Sequence, residues 1–339
     1  MKIGNREFDT YNNTYIMGIV NVTPDSFSDG GRFLRERVSA SAAAMTHGRM
    51  LDMDAVLKTC GQMITDGADI LDIGGESTRP DADTVSVTEE LERVIPVIEA
   101  VADNYDIPIS VDTYKAKVAW RAVGAGAVLI NDIWGLKGDP DMAGTVSALQ
   151  KEYEGVALCI MHNRKPVTMT CEVEGVGVPI TRHGEDTDYG YRRSASDTSG
   201  DVRDDSLDED LFMEDVRDDL ACSIMAAATA GVDTERIIID PGVGFAKTYE
   251  QNLCVLRRIE ELEHIRLKRD NKYEEIRLPI LLGCSRKSVI GKTLDMPVDR
   301  RLNGTLATTA YAAMKGVSFV RVHDVGDNAE VIRMLKALR

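Results

Sequence analysis

The chain alternates short apolar, β-branched segments with longer segments of helical periodicity, and each apolar segment ends at a polar residue. The eight residues at which these segments end are Asn21, Glu76, Asp112, Asn131, His162, Asp240, Ser285 and Arg321. Strands that alternate with helices form a parallel sheet, and eight such units close into a (β/α)8 barrel, the TIM barrel. Because the carboxyl ends of all eight strands lie on one face of that barrel, the pattern predicts a ring of polar side chains there.

Glycines mark several of the predicted junctions between a helix and the strand that follows, at Gly67, Gly126, Gly231 and Gly316. Gly67 precedes the second apolar segment, and Gly supplies the left-handed residue that commonly ends a helix. The pattern predicts a first helix that begins near Leu51, with Asp52 or Asp54 as its N-cap, and ends at Gly67. A later helix is predicted over residues 214–231.

The length of 339 residues exceeds the ~250 residues typical of this barrel, which indicates one domain with insertions. One insertion, residues 34–50, lengthens the loop after strand 1. The other, residues 165–211, follows strand 5 and is acidic and rich in Gly, Ser and Thr. We expect the acidic insertion to be a flexible, solvated loop, with an interaction surface or a lid as alternatives.

The net charge of −16 argues against nucleic-acid binding. Much of it is local, because residues 183–219 contain fourteen Asp and Glu against four Arg. The six cysteines show no metal-type spacing, which is typical of buried thiols in a reducing compartment. No apolar segment approaches the ~18–20 residues of a membrane helix, and the first residues lack a signal-peptide core. These features together predict a cytoplasmic protein that does not bind membranes.

Two polar loops carry the first candidate chemistry. Residues 21–31, called loop 1, follow strand 1 and contain hydroxyl and turn residues. Residues 74–80, called loop 2, contain two glycines that allow close backbone approach to a ligand, and Arg79, which suits an anion. Taken alone, each loop could equally be a mobile surface turn.

Together the two loops resemble the two signature segments of the dihydropteroate synthase family. Six further segments match that family's pattern in order, at residues 110–113, 131–132, 161–163, 240–247, 283–288 and 321–324. The resemblance covers nearly the whole chain apart from the two insertions. It implies a reaction in which 6-hydroxymethyl-7,8-dihydropterin pyrophosphate and p-aminobenzoate condense to 7,8-dihydropteroate with release of pyrophosphate. It also implies a Mg2+ cofactor and sensitivity to sulfonamides.

The resemblance assigns the pterin to side chains that suit its mixed edge of donors and acceptors. A carboxylate accepts two N–H groups of a guanidine-like edge, which suits Asp240, although an Asp before Pro-Gly is also a common turn residue. Asn131 can donate and accept at once. Asp112 is expected near the ring, Lys287 at its acceptors and Met161 at its face.

The resemblance assigns the pyrophosphate to Asn21, Thr78, Arg79, Arg321 and His323. Arg binds phosphate through two parallel hydrogen bonds, and a residue two positions along a strand points the same way. A His bonded to backbone in the core is the alternative for His323. Asn21 is expected to bind Mg2+ or the pyrophosphate through its amide oxygen, since Mg2+ takes few protein ligands beside phosphate oxygens and water.

The aminobenzoate ring is assigned to Pro80, Phe245 and the stem of Lys287, with Ser288 near its carboxylate. Phe245 could instead be an ordinary packing residue, and Lys247 is expected to steady its loop rather than to bind ligand. The chemistry implied is dissociative: pyrophosphate leaves, and the CH2 cation conjugated with the pterin is stabilised by nearby carboxylates. The catalytic residues are therefore expected to be Asp112, Asp240, Lys287 and Arg321.

Two rival functions fit part of the pattern. A folate-dependent methyltransferase on the same barrel shares the pterin-binding Asp and Asn but does not need loop 1 or the Ser-Arg-Lys-Ser segment at 285–288. A catalytically silent homologue would bind a pterin as a regulatory protein. A homodimer is expected, since symmetric dimers are the commonest oligomers.

Overall fold

The computed structural model describes residues 1–23, 52–77, 84–163, 207–269 and 272–338, together with three short strands at Leu34–Arg35, Met45–Thr46 and Arg49–Leu51. These three strands pair antiparallel, so part of the predicted insertion at 34–50 is a small sheet. Most of the acidic insertion lies outside the described residues. Within the described part of the chain, no helix is long and apolar enough to cross a membrane.

Eight parallel strands form the sheet that the sequence predicts. In chain order they are β1 (Tyr15–Asn21), β2 (Ile70–Gly74), β3 (Ile109–Asp112), β4 (Leu129–Asp132), β5 (Ala157–Met161), β6 (Ile237–Asp240), β7 (Leu281–Leu282) and β8 (Phe319–Val322). Their order in the sheet is β6-β5-β4-β3-β2-β1-β8-β7. A parallel bridge between Ile239 and Ile280 joins the two outer strands and closes the barrel.

Helices alternate with the strands, as expected for a right-handed (β/α)8 barrel. Those in the described residues are α1 (Met53–Asp66), α2 (Val87–Asn104), α3 (Ala116–Gly124), α4 (Met142–Glu152), α5 (Glu209–Thr229), α6 (Tyr249–Arg257), α7 (Ser288–Leu294), α8 (Leu302–Met314) and α9 (Val325–Leu338). Two helices, the short α7 and the longer α8, both lie between β7 and β8. The fold class predicted from the sequence is therefore confirmed.

Local capping explains where the predicted helices begin and end. Asp52 caps α1 by accepting a hydrogen bond from Ala55 N at 3.2 Å, and Gly67 ends it with a φ of 109°. The predicted start of α5 at residue 214 is wrong. Asp208 caps that helix by accepting from the backbone N–H groups of Asp210 and Leu211, so α5 begins five residues earlier, inside the predicted 165–211 insertion.

An N-terminal hairpin, Lys2–Ile3 paired with Arg6–Glu7, closes the N-terminal end of the barrel. Its Ile3 and the following Phe8 are buried against the barrel residues Met17, Ile70 and Phe319. The rings of Phe8 and Phe319 lie 5.6 Å apart between centroids. Apolar packing therefore fills this end of the barrel, and the polar residues concentrate at the other end.

A second hairpin, His264–Arg269 paired with Lys272–Arg277, lies between α6 and β7 and was not predicted. Ile265 and Leu267 are fully buried on its inner face, where the hairpin packs against α5. The alternation of apolar and charged residues from position 264 to 268 is a strand signal of period two. It precedes β7, so it lies away from the carboxyl ends of the strands.

Candidate active site at the carboxyl ends of the strands

Gly74, at the end of β2, lies between side chains of the two neighbouring strands. A Cβ atom added to Gly74 would lie 3.3 Å from Asp112 Cβ and 3.8 Å from Asn21 Oδ1. Asn21 and Asp112 are the residues paired with Gly74 in β1 and β3. Gly74 therefore lies in close contact with both the amide of Asn21 and the carboxylate of Asp112, which meet at this end of the barrel.

Gly283 occupies the corresponding position after β7. A Cβ atom added there would lie 3.7 Å from Asp240 Oδ2, 3.7 Å from Lys287 Nζ and 4.0 Å from Arg321 Cδ. One carboxylate and two cations thus surround Gly283 at the same end of the barrel. Asp240 and Lys287, which the resemblance assigns to the pterin, lie together.

Arg321 connects these two parts of the site through buried ion pairs. Its Nε lies 2.5 Å from Asp72 Oδ2 and its Nη2 lies 2.6 Å from Asp112 Oδ2. The pKa of Arg321 is raised, because the attraction of the two carboxylates outweighs the opposing effect of burial. The guanidinium is therefore held in one orientation. Its assignment to the pyrophosphate stays a prediction.

Asp72 is a site residue that the sequence analysis missed. Besides Arg321, its Oδ2 accepts a hydrogen bond from Asn131 Nδ2 at 3.3 Å, and the residue is fully buried in β2. Its Oδ1 has no hydrogen-bond partner among the described residues. The amide NH2 group of Asn131 is directed to Asp72. The carbonyl oxygen of Asn131, Oδ1, is therefore left to accept hydrogen bonds from a ligand. The only signal in the sequence is a charged residue within an otherwise apolar segment.

Burial makes the carboxyl groups of the site weaker acids than free Asp. It raises the pKa of Asp112 to about 7; Arg321 opposes this effect, and the negative charge of Asp72 adds to it. The pKa of Asp240 is also raised by burial, against the attraction of Lys287. Burial lowers the pKa of Lys287, and Asp240 counteracts that effect. With all groups ionised, three carboxylates face two cations, an excess of one negative charge.

The turn after β6 fixes Asp240 and brings Phe245 next to Lys287. Gly242 N donates to Asp240 Oδ1 at 2.7 Å, and Oδ2 of the same carboxylate lies beside Gly283. Lys287 Nζ donates to Val243 O at 2.5 Å and lies 4.5 Å from the centre of the Phe245 ring. The predicted walls of the aminobenzoate pocket, Phe245 and the Lys287 stem, are therefore neighbours.

Lys247 steadies the same turn, as expected. Its Nζ lies 2.6 Å from His162 Nδ1 and donates to Gly242 O at 3.0 Å and to Phe245 O at 3.3 Å. Gly242 has a φ of 66°, and a Cβ added there would lie 2.0 Å from His162 O. The buried His162, which directly follows β5, therefore supports the turn after β6.

Ser285 and Arg286 connect the turn after β7 to the end of β8. Ser285 Oγ accepts from His323 N at 3.3 Å and lies 3.0 Å from His323 Nδ1. The Ser285 hydroxyl and His323 Nδ1 are therefore within hydrogen-bond distance, with the hydroxyl as donor when the ring proton is on Nε2. Arg286 binds Asp324 with both ends of its fork, at 2.5 and 3.0 Å.

The remaining predicted residues divide into three groups. Met161 is buried beside Asp240, its partner in the parallel pairing of β5 and β6. Ser288 is exposed at the first position of α7. Thr78, Arg79 and Pro80 lie outside the described residues, so their assignments stay predictions.

Asn21 is the one residue assigned to the metal, and it lies at the end of β1 beside Gly74. No group of three or more His, Cys, Asp or Glu side chains in the described ranges is arranged to hold a metal ion. A neutral amide oxygen suits a Mg2+ ion whose other ligands are water and phosphate oxygens. The donor set fits a metal that arrives with its substrate better than one held permanently by the protein.

Comparison with known proteins agrees with this geometry. Residues 42–323 match the family described as pterin binding enzyme. The chain is 43% identical over 335 residues to a dihydropteroate synthase of Clostridium beijerinckii, which covers 98% of this chain and 97% of that protein. The chain belongs to the dihydropteroate synthase family. The resemblance recognised from the eight motifs is thereby confirmed.

Solved structures of dihydropteroate synthases share the fold over the whole chain. A Yersinia pestis enzyme solved as a complex with a sulfonamide drug is 32% identical, has a TM-score of 0.73, and covers 100% of this chain and 98% of its own. A Xanthomonas albilineans enzyme solved with 4-aminobenzoic acid is 32% identical, has a TM-score of 0.69, and covers 97% of this chain and 94% of its own. The barrel fold of this chain is therefore shared with solved dihydropteroate synthases.

Proposed function

We propose that this chain condenses 6-hydroxymethyl-7,8-dihydropterin pyrophosphate with p-aminobenzoate to form 7,8-dihydropteroate and pyrophosphate. The observation that carries the proposal is the convergence of Asp112, Asn131, Asp240, Lys287 and Arg321 at one end of the barrel. These five residues supply acceptors and donors in the mixture that a pterin edge requires. Full-length similarity to dihydropteroate synthases supports the same reaction.

Pterin binding follows from the fixed orientation of the polar groups. Asp240 Oδ2 and the carbonyl oxygen of Asn131 accept hydrogen bonds from the guanidine-like edge of the ring. Lys287 donates to ring acceptors, and its partial desolvation strengthens those bonds. The guanidinium of Arg321, held in one orientation by Asp72 and Asp112, binds the pyrophosphate of the substrate.

The chemical step breaks the bond between the pterin CH2 group and the pyrophosphate oxygen. Positive charge develops on that carbon and spreads into the pterin ring. The excess negative charge of Asp72, Asp112 and Asp240 over Lys287 and Arg321 stabilises this cation in a site of low dielectric. Preorganised charges of this kind do not need to reorient during the reaction.

The aromatic amine then attacks the carbon and loses a proton. Because the amine is neutral, no strong base is required to activate it. Phe245 and the stem of Lys287 pack against its ring, and Ser288 lies at the outer edge, where a carboxylate remains in contact with water. Mg2+, held with Asn21, would neutralise the leaving pyrophosphate.

The proposal is tested by measuring pyrophosphate release with both substrates and with each one alone. Release that requires p-aminobenzoate supports condensation. Release without p-aminobenzoate, or no release at all, would contradict it and favour a hydrolase or a silent pterin-binding homologue. Methyl transfer from a methylated folate would instead favour the methyltransferase alternative. The expected Mg2+ ion, homodimer and cytoplasmic location stay predictions.

A further inference from the structure

The turn after β6, residues 241–247, has a backbone that its own sequence does not favour throughout. Three alternate residues have positive φ angles, Gly242 at 66°, Gly244 at 84° and Ala246 at 42°. Glycine adopts such angles readily, whereas alanine rarely does. A strained residue of this kind persists only where the surrounding structure holds the backbone in place. Phe245, a wall of the proposed aminobenzoate pocket, lies between two of these residues.

Asn252 of α6 holds the turn from outside. The side chain is 4% exposed, and its Oδ1 accepts a hydrogen bond from Gly244 N at 2.6 Å. Its Nδ2 donates to Lys247 O at 3.3 Å and to Thr248 O at 2.7 Å. One buried amide therefore connects the middle of the turn to its end and to the start of α6.

The part of the turn that Asn252 holds is the part that meets Lys287. A Cβ atom added to Gly244 would lie 2.9 Å from Lys287 Cδ. Lys287 Nζ donates to Val243 O at 2.5 Å and lies 4.5 Å from the centre of the partly exposed Phe245 ring. Because this backbone touches Lys287 directly, a shift of the turn would move Phe245 relative to the lysine stem.

The contacts that serve the pterin are separate. Gly242 N donates to Asp240 Oδ1, and Gly242 O accepts from Lys247 Nζ at 3.0 Å. Within the described part of the chain, no hydrogen bond joins Asn252 to Asp240 or to Gly242. The turn therefore has one support near the pterin residue Asp240 and another, Asn252, near Phe245.

We propose that Asn252 is a positioning residue for p-aminobenzoate. By holding Gly244 against Lys287, it keeps Phe245 where both side chains can pack on the same aromatic ring. The inference rests on the proposed function, in which Phe245 and the stem of Lys287 bind the ring of the aromatic amine. Asn252 acts through Phe245 and touches no substrate.

The first test is Asn252→Ala, which removes all three hydrogen bonds of the amide. Lys247 Nζ still donates to Phe245 O at 3.3 Å, so a partial effect is expected. The KM for p-aminobenzoate should rise roughly 2- to 30-fold, the range for mutations that act through intervening residues. The Kd of a labelled sulfonamide, measured with Mg2+-pyrophosphate present, should rise by the same factor. The Kd of 6-hydroxymethylpterin should stay within about twofold, because Asp240 keeps its own support.

Asn252→Asp is the second variant, chosen because it preserves the volume of the side chain. A carboxylate is also favourable in the first turn of a helix, so α6 should form in this variant. The carboxylate cannot donate to the carbonyl oxygens of Lys247 and Thr248 and is repelled by them. It should therefore also lose affinity for p-aminobenzoate and for the sulfonamide, even if Asn252→Ala does not fold.

Gln150→Ala is the matched control. Gln150 is a half-buried amide whose Oε1 accepts from Asp233 N at 2.8 Å and whose Nε2 donates to Val156 O at 3.1 Å. It connects the loops before β5 and β6, at the opposite end of the barrel. This variant should leave the KM for p-aminobenzoate and the sulfonamide Kd unchanged, whatever its thermal stability.

A double variant tests whether Asn252 acts through Phe245. Phe245→Ala removes the ring, so adding Asn252→Ala to it should cause no further loss of sulfonamide affinity beyond about twofold. A further loss as large as that of Asn252→Ala alone would overturn the inference.

Three other results would also overturn it. These are unchanged sulfonamide affinity in either Asn252 variant, an equal loss of pterin affinity, or an equal effect in Gln150→Ala. If the wild-type protein makes no dihydropteroate, the proposed function fails, and the sulfonamide titration still decides whether Asn252 positions Phe245 for an aniline ring.

Discussion

Replacement of Asp240 by Asn should weaken pterin binding without unfolding the barrel. Gly242 N already donates to Oδ1 at 2.7 Å, so the Asn carbonyl should take that position and keep the turn. The amide NH2 group then replaces Oδ2 beside Gly283, on the side assigned to the pterin. A donor would face the N–H donors of the pterin, and the acceptor present in the wild type would be lost.

The magnitude follows from the loss of one charged hydrogen bond. Such bonds are worth ~1.5–3 kcal/mol, which corresponds to a loss of roughly 10- to 150-fold in affinity. The variant also leaves the ammonium of Lys287 without its nearest carboxylate, which weakens binding in the same direction. Calorimetric titration with 6-hydroxymethylpterin measures the change directly.

A control for the same chemical change is Asp69→Asn. Asp69 is partly buried at the opposite end of the barrel, where its Oδ2 accepts from Ile16 N at 2.8 Å. This variant should bind pterin like the wild type, whatever its stability. Wild-type affinity in Asp240→Asn, or an equal loss in Asp69→Asn, would refute the assignment of Asp240 to the pterin.

Three further outcomes are expected. The value of kcat/KM should rise with pH through about 7, because Asp112 has its pKa raised to about 7 and stabilises the cation only when ionised. Asp112→Asn should have a low rate that does not rise with pH in this range, and the same rise in that variant would contradict the role of Asp112. Chelation of divalent metal should abolish turnover and added Mg2+ should restore it; full activity in excess chelator would exclude a metal role. A labelled sulfonamide should bind roughly 5- to 150-fold tighter with Mg2+-pyrophosphate present, a coupling of ~1–3 kcal/mol, and equal affinity in both conditions would show that the sites are independent.

The barrel could be predicted because its determinants are local. Each strand is an apolar segment with a polar residue at its end or within the next three positions, and several αβ junctions contain a glycine. The start of α5 was misplaced because the N-cap Asp208 lies in a run of acidic residues, where composition indicates a solvated loop. The hairpin at 264–277 was missed because the sequence there was read as the helix and strand of one barrel unit, so its two short strands were not recognised.

The candidate site was predictable where a residue ends a strand, as with Asp112, Asn131 and Asp240. Asp72 was not predictable in this way, because it lies two residues before the end of β2 and acts through Arg321 and Asn131. The role of Ser285 depends on a partner 38 residues away, His323, which no local pattern reveals. Long-range pairing of polar groups is thus the part that required the structure.

The central claim is that the polar end of the barrel joins a pterin to an aromatic amine. The most direct measurement is the stoichiometry of the products, with dihydropteroate determined by mass spectrometry and pyrophosphate determined in the same samples. The account predicts one dihydropteroate for each pyrophosphate released, with both products strongly reduced in Asp240→Asn. Pyrophosphate released together with 6-hydroxymethyl-dihydropterin, and no incorporation of p-aminobenzoate, would contradict it.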